Sequence, residues 1–291
     1  MKSYAKINLF LDVLGKRDDG YHDIFSIMQT VSLYDELTFS FNDSFAFEIK
    51  TPQINLPADE KNIIVKAAKL LIKEYGLPTG IKIELEKRIP IGAGLAGGSS
   101  NCATTLLGIN ALFDLKIPME KLIEIGKSLG ADVPFCLTGG TAIVEGIGEK
   151  ITPLPPHPPC YIVIACPKIH VSTKDIFDKL DTNNFKKADP NEILEGLSKN
   201  NPEKVASSLY NIFTPVTSGL HPQITDLIAQ FKELGAQGAE MSGTGASVFA
   251  YFKEEKIALR ALNKIKKSVT DVFICTPKEG RALAELKGGL E

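Results

Sequence analysis

From Gly80 onward the chain runs through an alternating apolar stretch (Ile81, Ile83, Leu85), then Pro90-Ile91-Gly92-Ala93-Gly94-Leu95-Ala96-Gly97-Gly98-Ser99-Ser100, then a helical pattern over 101–112 with Leu106, Ile109 and Phe113 on one side. A strand, a loop of small residues and a helix in that order require a sheet that feeds a helix N-terminus through exposed backbone. Such a loop can aim successive N–H groups at an anion, and the helix end adds partial positive charge. Ser99 and Ser100 are expected to cap the helix or to offer hydroxyls to a phosphate and Mg²⁺, with Ser100 the candidate near a metal. The phosphate loop of the common nucleotide triphosphatases needs Gly-Lys-Ser/Thr, and no lysine lies between Pro90 and Ser100. Gly92, Gly94 and Gly97 match the dinucleotide-binding spacing, but a second helical pattern replaces the strand that would carry its acidic residue. A plain structural turn before a capped helix is the competing reading of this segment.

The surrounding patterns alternate between strands and helices without a regular βα repeat, which predicts an α+β fold. Residues 4–14 read as a strand with Tyr4, Lys6, Asn8 and Phe10 on one face and Ala5, Ile7, Leu9 and Leu11 on the other. Strands are also expected at Ser32–Phe41, Phe45–Lys50, Thr141–Glu145, Tyr161–Cys166, Ser247–Phe252 and Val272–Thr276. Helices are expected from Asn62 to Gly76 and at Met119–Leu129, Thr173–Lys179, Pro202–Phe213, Gln223–Leu234 and Glu255–Ser268. Five prolines in residues 153–159 disfavour regular structure and predict an extended connector. It divides the 291 residues into two units, 1–155 and 156–291.

Several polar residues stand out against these patterns. Lys6 interrupts an apolar strand and needs a partner there. Asp132, in Gly-Ala-Asp-Val-Pro, is the candidate partner; the proline predicts an extended chain at Val133. A lysine and an aspartate converging on bound phosphates would suit phosphoryl transfer, with the aspartate accepting a hydroxyl proton. A solvated turn residue is the plainer alternative for Asp132. Ser242-Gly243-Thr244-Gly245 forms a second small-residue loop, able to bind a second phosphate group or to serve as a tight turn. Tyr21 and His22 could stack on or hydrogen-bond a base.

The net charge of −2 gives no bulk attraction to nucleic acid or anionic membranes. Five scattered cysteines lack zinc or disulfide spacing and suit a reducing compartment. No signal-peptide pattern or membrane-length apolar run is read, so a cytoplasmic protein, or a plastid stromal one, is expected.

Read together, Pro90–Ser100, Ala5-Lys6-Ile7-Asn8-Leu9, Lys16–His22, Ala131-Asp132-Val133-Pro134-Phe135 and Met241–Gly245 resemble the GHMP kinases, a family of small-molecule kinases, and within it the branch acting on 4-diphosphocytidyl-2-C-methyl-D-erythritol. The resemblance covers nearly the whole chain. It implies a two-domain α+β kinase with ATP and substrate in the interdomain cleft, using Mg²⁺ and phosphorylating the 2-hydroxyl of that cytidyl alcohol. Asp132 would be the general base and Lys6 its partner. The loop 90–100 would hold the ATP phosphates, with Asn62 beside the adenine. Asn8, Tyr21, His22, Thr173, Phe177 and Ser242–Gly245 would face the substrate. A monomer or weak homodimer that binds neither nucleic acid nor membrane is implied as well.

Overall fold

The computed structural model describes residues 1–42, 47–52, 59–180 and 188–280. The chain opens with two long antiparallel strands, β1 (Lys2–Lys16) and β2 (His22–Phe41), joined by a turn at 17–21. Then follow β3 (Glu48–Lys50), α1 (Ile63–Tyr75), β4 (Ile81–Glu86), α2 (Gly97–Leu112), α3 (Met119–Leu129), α4 (Val133–Thr138), β5 (Thr141–Gly146) and β6 (Lys150–Pro153). Beyond the proline-rich connector come β7 (Tyr161–Cys166), α5 (Thr173–Asp178), α6 (Asn191–Ser198), α7 (Pro202–Ser207), β8 (Tyr210–Asn211), α8 (Thr214–Leu220), α9 (Gln223–Glu233), β9 (Gly238–Met241), β10 (Val248–Phe252), α10 (Glu255–Ile265) and β11 (Asp271–Cys275).

Two sheets organise these elements. The larger runs β3-β4-β2-β1-β8. Strand β2 is long enough to pair β5 through residues 24–29 and β4 through residues 36–41. The smaller sheet, β11-β7-β10-β9, comes wholly from beyond the connector. The two are not independent. β8 adds to the first sheet parallel to β1, and one core cluster contains Ala5, Ile7, Leu9 and Phe10 together with Ile162, Ile164, Phe249 and Tyr251.

The alternation expected along β1 fails after Asn8. Lys6 and Asn8 do share a face, but the register with β2 slips between Asn8 and Phe10, inserting one extra residue into β1. Such a bulge moves every later side chain to the opposite face. Phe10 therefore joins Ile7 and Leu9 in the core, and Leu11 takes the cleft side with Lys6 and Asn8.

Other boundaries shift for local reasons. The helix expected over Pro202–Phe213 stops at Ser207, and Tyr210–Asn211 is a strand against β1. Helices α6 and α8 and strand β9 have no counterpart in the sequence-based expectation. Part of the strand expected at Phe45–Lys50 lies outside the described residues; Glu48–Lys50 is the described portion. No extended segment follows Asp132: Val133 and Pro134 form the first turn of α4. Proline is tolerated there because that N–H has no helical partner in any case.

Candidate active site

Glycine loop 90–100 leaves β4, folds under β1 and enters α2. Leu95 anchors it: the side chain is buried in the core, and the carbonyl accepts the backbone N–H of Lys6 at 3.1 Å. Helix α2 begins at Gly97, earlier than the pattern indicates, with Ala96 in the left-handed region (φ 54°, ψ 28°) and no side-chain cap. Ser99 and Ser100 thus lie inside the first turn and cap nothing. An alanine in that region carries strain of about 1–2 kcal/mol that glycine would avoid. The uncapped end leaves the first-turn N–H groups toward the cleft without a side-chain acceptor.

The second loop, 242–245, packs directly on the first. A Cβ on Gly94 would stand 2.2 Å from the carbonyl oxygen of Ser242, so only glycine permits the approach. Ser242 Oγ donates to the Gly94 carbonyl at 2.9 Å, and the Ser247 N–H reaches the Ala93 carbonyl at 3.3 Å. From behind, Asn211 on β8 donates its amide to the carbonyls of Met241 (2.8 Å) and Gly243 (2.7 Å) and accepts from Phe213 N–H.

Asn8 joins these loops to the charged pair. Its Oδ1 accepts from Lys6 Nζ at 2.7 Å, Gly243 N–H at 3.0 Å and Ser242 Oγ at 3.4 Å, while its Nδ2 donates to Ser26 Oγ at 2.9 Å. The Lys6 ammonium lies 3.8 Å from Asp132 Oδ2. Lys6 is buried, whereas the Asp132 side chain keeps 32% of its exposure and faces the cleft. A buried ammonium beside a half-open carboxylate keeps that carboxylate in place while leaving an oxygen free for an incoming hydroxyl.

The cleft has a volume of about 1010 Å³. Lys6, Asn8, Tyr21, His22, Asn62, Asp132, Thr173, Phe177, Gly243, Thr244 and Gly245 border it, as does most of the glycine loop. Three expected residues do not. Leu95 is a core anchor, Ser242 is buried between the loops, and Ser100 is turned inward, accepting a hydrogen bond from Ser3 Oγ at 2.8 Å. Asn62 caps α1, its Oδ1 accepting the Ile64 N–H at 3.0 Å. Toward the smaller sheet, the His22 ring sits 4.9 Å from Phe177, which meets Phe213 edge-on at 4.6 Å. Tyr21 is 61% exposed at the turn, its N–H held by Asp19 at 3.1 Å. Thr173 and Thr244 hydroxyls lie 3.1 Å apart.

One buried network escaped the sequence reading. Asp35, fully buried, accepts from Lys87 Nζ (2.5 Å), Arg88 N–H (2.7 Å), Ile89 N–H (2.7 Å) and Asn101 Nδ2 (2.8 Å), fixing both ends of the glycine loop. Burial outweighs Asp35 and lowers the Lys87 pKa. The available signal was a carboxylate in the apolar register of β2, between Leu33 and Leu37.

Among the described residues no group of three or more His, Cys, Asp or Glu is placed to hold a metal, and no helix is long and apolar enough to cross a membrane. All five cysteines are free, and burial pushes the Cys102 thiol up to about 12.

Family models describe the same two loops. That of the GHMP kinases N terminal domain matches residues 62–140, which hold the first loop and Asp132. That of the GHMP kinases C terminal matches residues 185–271, which hold the second. The chain is 42% identical to the 4-diphosphocytidyl-2-C-methyl-D-erythritol kinase of Caldicellulosiruptor saccharolyticus over 96% of its length and 97% of the relative's. It is 45% identical to that of Lachnoclostridium phytofermentans over 91% and 92%. A crystal structure of 4-(cytidine 5'-diphospho)-2C-methyl-D-erythritol kinase superposes with a TM-score of 0.83 at 31% identity, covering 96% of this chain and 99% of that one. Homoserine kinase from Cytophaga hutchinsonii, at 23% identity and a TM-score of 0.71, shares the fold. By sequence match across both domain models and over nearly the full length of these relatives, the chain belongs to the GHMP kinase family, grouping with its 4-diphosphocytidyl-2-C-methyl-D-erythritol kinases.

Proposed function

We propose that this chain transfers the γ-phosphoryl group of ATP to the 2-hydroxyl of 4-diphosphocytidyl-2-C-methyl-D-erythritol, releasing ADP. The observation that carries the reading is the Lys6–Asp132 pair, 3.8 Å apart and bordering the cleft where two glycine loops meet. A protein that only bound a nucleotide would have no use for a carboxylate held half-open by a buried ammonium.

In this reading Asp132 accepts the proton of the 2-hydroxyl as its oxygen attacks the γ-phosphorus. Lys6 holds the carboxylate and offsets charge developing on the transferred group. First-turn N–H groups of α2 and the loop backbone carry the ATP phosphates, with Asn62 and Ile91 on the nucleoside side. Asn8 acts by positioning, since its Oδ1 accepts from three donors, its Nδ2 donates to Ser26 and the residue is 1% exposed. Tyr21, His22 and Phe177 form an aromatic wall suited to a pyrimidine. Mg²⁺ commonly binds through substrate phosphates, waters and one or two protein oxygens, so it needs no preformed cluster. Ser99 borders the cleft whereas Ser100 is turned inward, so Ser99 is the residue of the loop that would hold the ion. Bound there, the ion would neutralise phosphate charge. The N-terminal unit, 1–155, would carry ATP and the C-terminal unit, 156–291, the far wall of the acceptor site. A cytoplasmic enzyme acting as a monomer or weak homodimer completes the reading.

The test is an assay of the purified protein with ATP and Mg²⁺ against the cytidyl alcohol, homoserine and mevalonate. Turnover of the cytidyl alcohol alone is the expected result. Turnover of homoserine or mevalonate without it would overturn the substrate assignment.

A further inference from the structure

Two polyphosphates must enter one cleft in the reading above, yet the chain's net charge is −2. Their attraction therefore depends on local cations. Four lysines border the cleft: Lys6, Lys61, Lys87 and Lys174, with Asp132 and Asp178 as its acidic side chains. Two of the four are committed. Lys6 is held by Asn8 and Asp132, and Lys87 is buried against Asp35. Among the described residues Lys61 and Lys174 make no ion pair, and both are exposed. Asp178, one helical turn beyond Lys174, is not within ion-pair distance of it.

Their positions divide the cleft. Lys61 directly precedes Asn62, the cap of α1, and Ile63 on the other side of Asn62 approaches Gly98 in the first turn of α2. Lys174 follows Thr173, whose hydroxyl is 3.1 Å from that of Thr244 in the second loop. Each lysine thus sits beside residues that meet a different glycine loop.

We propose that Lys61 and Lys174 are the two specificity-setting cations of the cleft, Lys61 contacting the polyphosphate of the nucleotide donor and Lys174 the diphosphate of the acceptor. This rests on the kinase reading above. Long, exposed lysine stems can reach an anion across several ångströms without fixed geometry. Their contribution is accordingly modest and sensitive to salt.

The experiment measures KM for each substrate in Lys61→Gln, Lys174→Gln and the off-cleft control Lys168→Gln, together with calorimetric titration of ADP, and of CDP in the presence of saturating ADP. The expected result is a crossed pattern of about two- to fivefold, the size of one exposed charge contact. Lys61→Gln weakens ADP and raises KM for ATP; Lys174→Gln weakens CDP and raises KM for the cytidyl alcohol. Each variant flattens the salt dependence of its own ligand only, a change that loosened folding would not produce, and the control matches wild type. Unchanged constants in both variants, or equal effects on both ligands, would overturn the proposal while leaving the kinase reading intact. A wild type that neither binds CDP nor turns over the cytidyl alcohol would overturn the kinase reading and, with it, the role of Lys174.

Discussion

At Asp132 the geometry sets a clear demand on mutation. Replacing the carboxylate with an amide keeps the shape and removes the proton acceptor, so Asp132→Asn is expected to lower kcat by about 10²–10⁴-fold, with nucleotide binding retained. Steady-state rates beside ADP titrations separate the two effects, and near-normal turnover would remove Asp132 from the chemistry. His22→Ala probes the aromatic wall. Its ring contacts Phe177 at 4.9 Å in the aromatic wall, so KM for the cytidyl alcohol should rise more than KM for ATP. Equal rises would speak against base recognition at that wall. These residues were legible as chemistry because each breaks a local pattern: Lys6 an apolar strand, Asp132 a glycine–proline turn. Asp35 breaks the pattern too, but its charge is spent on the loop's own backbone, and sequence alone does not say whether a buried carboxylate serves a substrate or a fold.

Elements were legible where one periodicity extends over many residues, as in α1, α9 and α10. They were not legible where tertiary pairing decides. The two-residue strand β8 exists because it completes an edge of β1, which nothing in Tyr210-Asn211 announces. The bulge after Asn8 is likewise a property of the β1–β2 pair and invisible in one strand. Asn211 lends β8 a measurable role. Its amide serves two carbonyls and its oxygen one N–H, all buried or partly so. Asn211→Ala should destabilise the protein by about 1–3 kcal/mol, the cost of leaving such groups unpaired. Urea midpoints would report the loss, and activity should fall further than stability alone explains because the second loop loses its rear support. A midpoint within error of wild type would show that water replaces the amide.

For the whole molecule the connector is more than a spacer. His157 within it is buried; its Nδ1 lies 2.6 Å from the Pro158 carbonyl, which can only accept, so Nδ1 carries the proton and Nε2 accepts from Tyr251 Oη at 3.0 Å. Burial lowers its pKa from 6.5 to about 4. The neutral ring therefore contributes stability that is fully present above pH 6.5 and lost as pH falls toward about 4, up to about 3 kcal/mol in all. Unfolding free energies at pH 7, 5 and 4 should decline more steeply for wild type than for His157→Gln. Parallel declines would assign the acid sensitivity elsewhere.

The contact of Gly94 with the Ser242 carbonyl bears on descent as much as on catalysis. Because backbone meets backbone there, neither loop can grow by a single methyl group unless the other retreats. A gene lineage could lengthen the turn at 17–21 or exchange surface lysines piecemeal, but positions 94 and 242–245 are bound to change together or to stay as they are. Recombination that paired the first half of one such enzyme with the second half of a distant cousin would meet a strict compatibility test where these two loops touch.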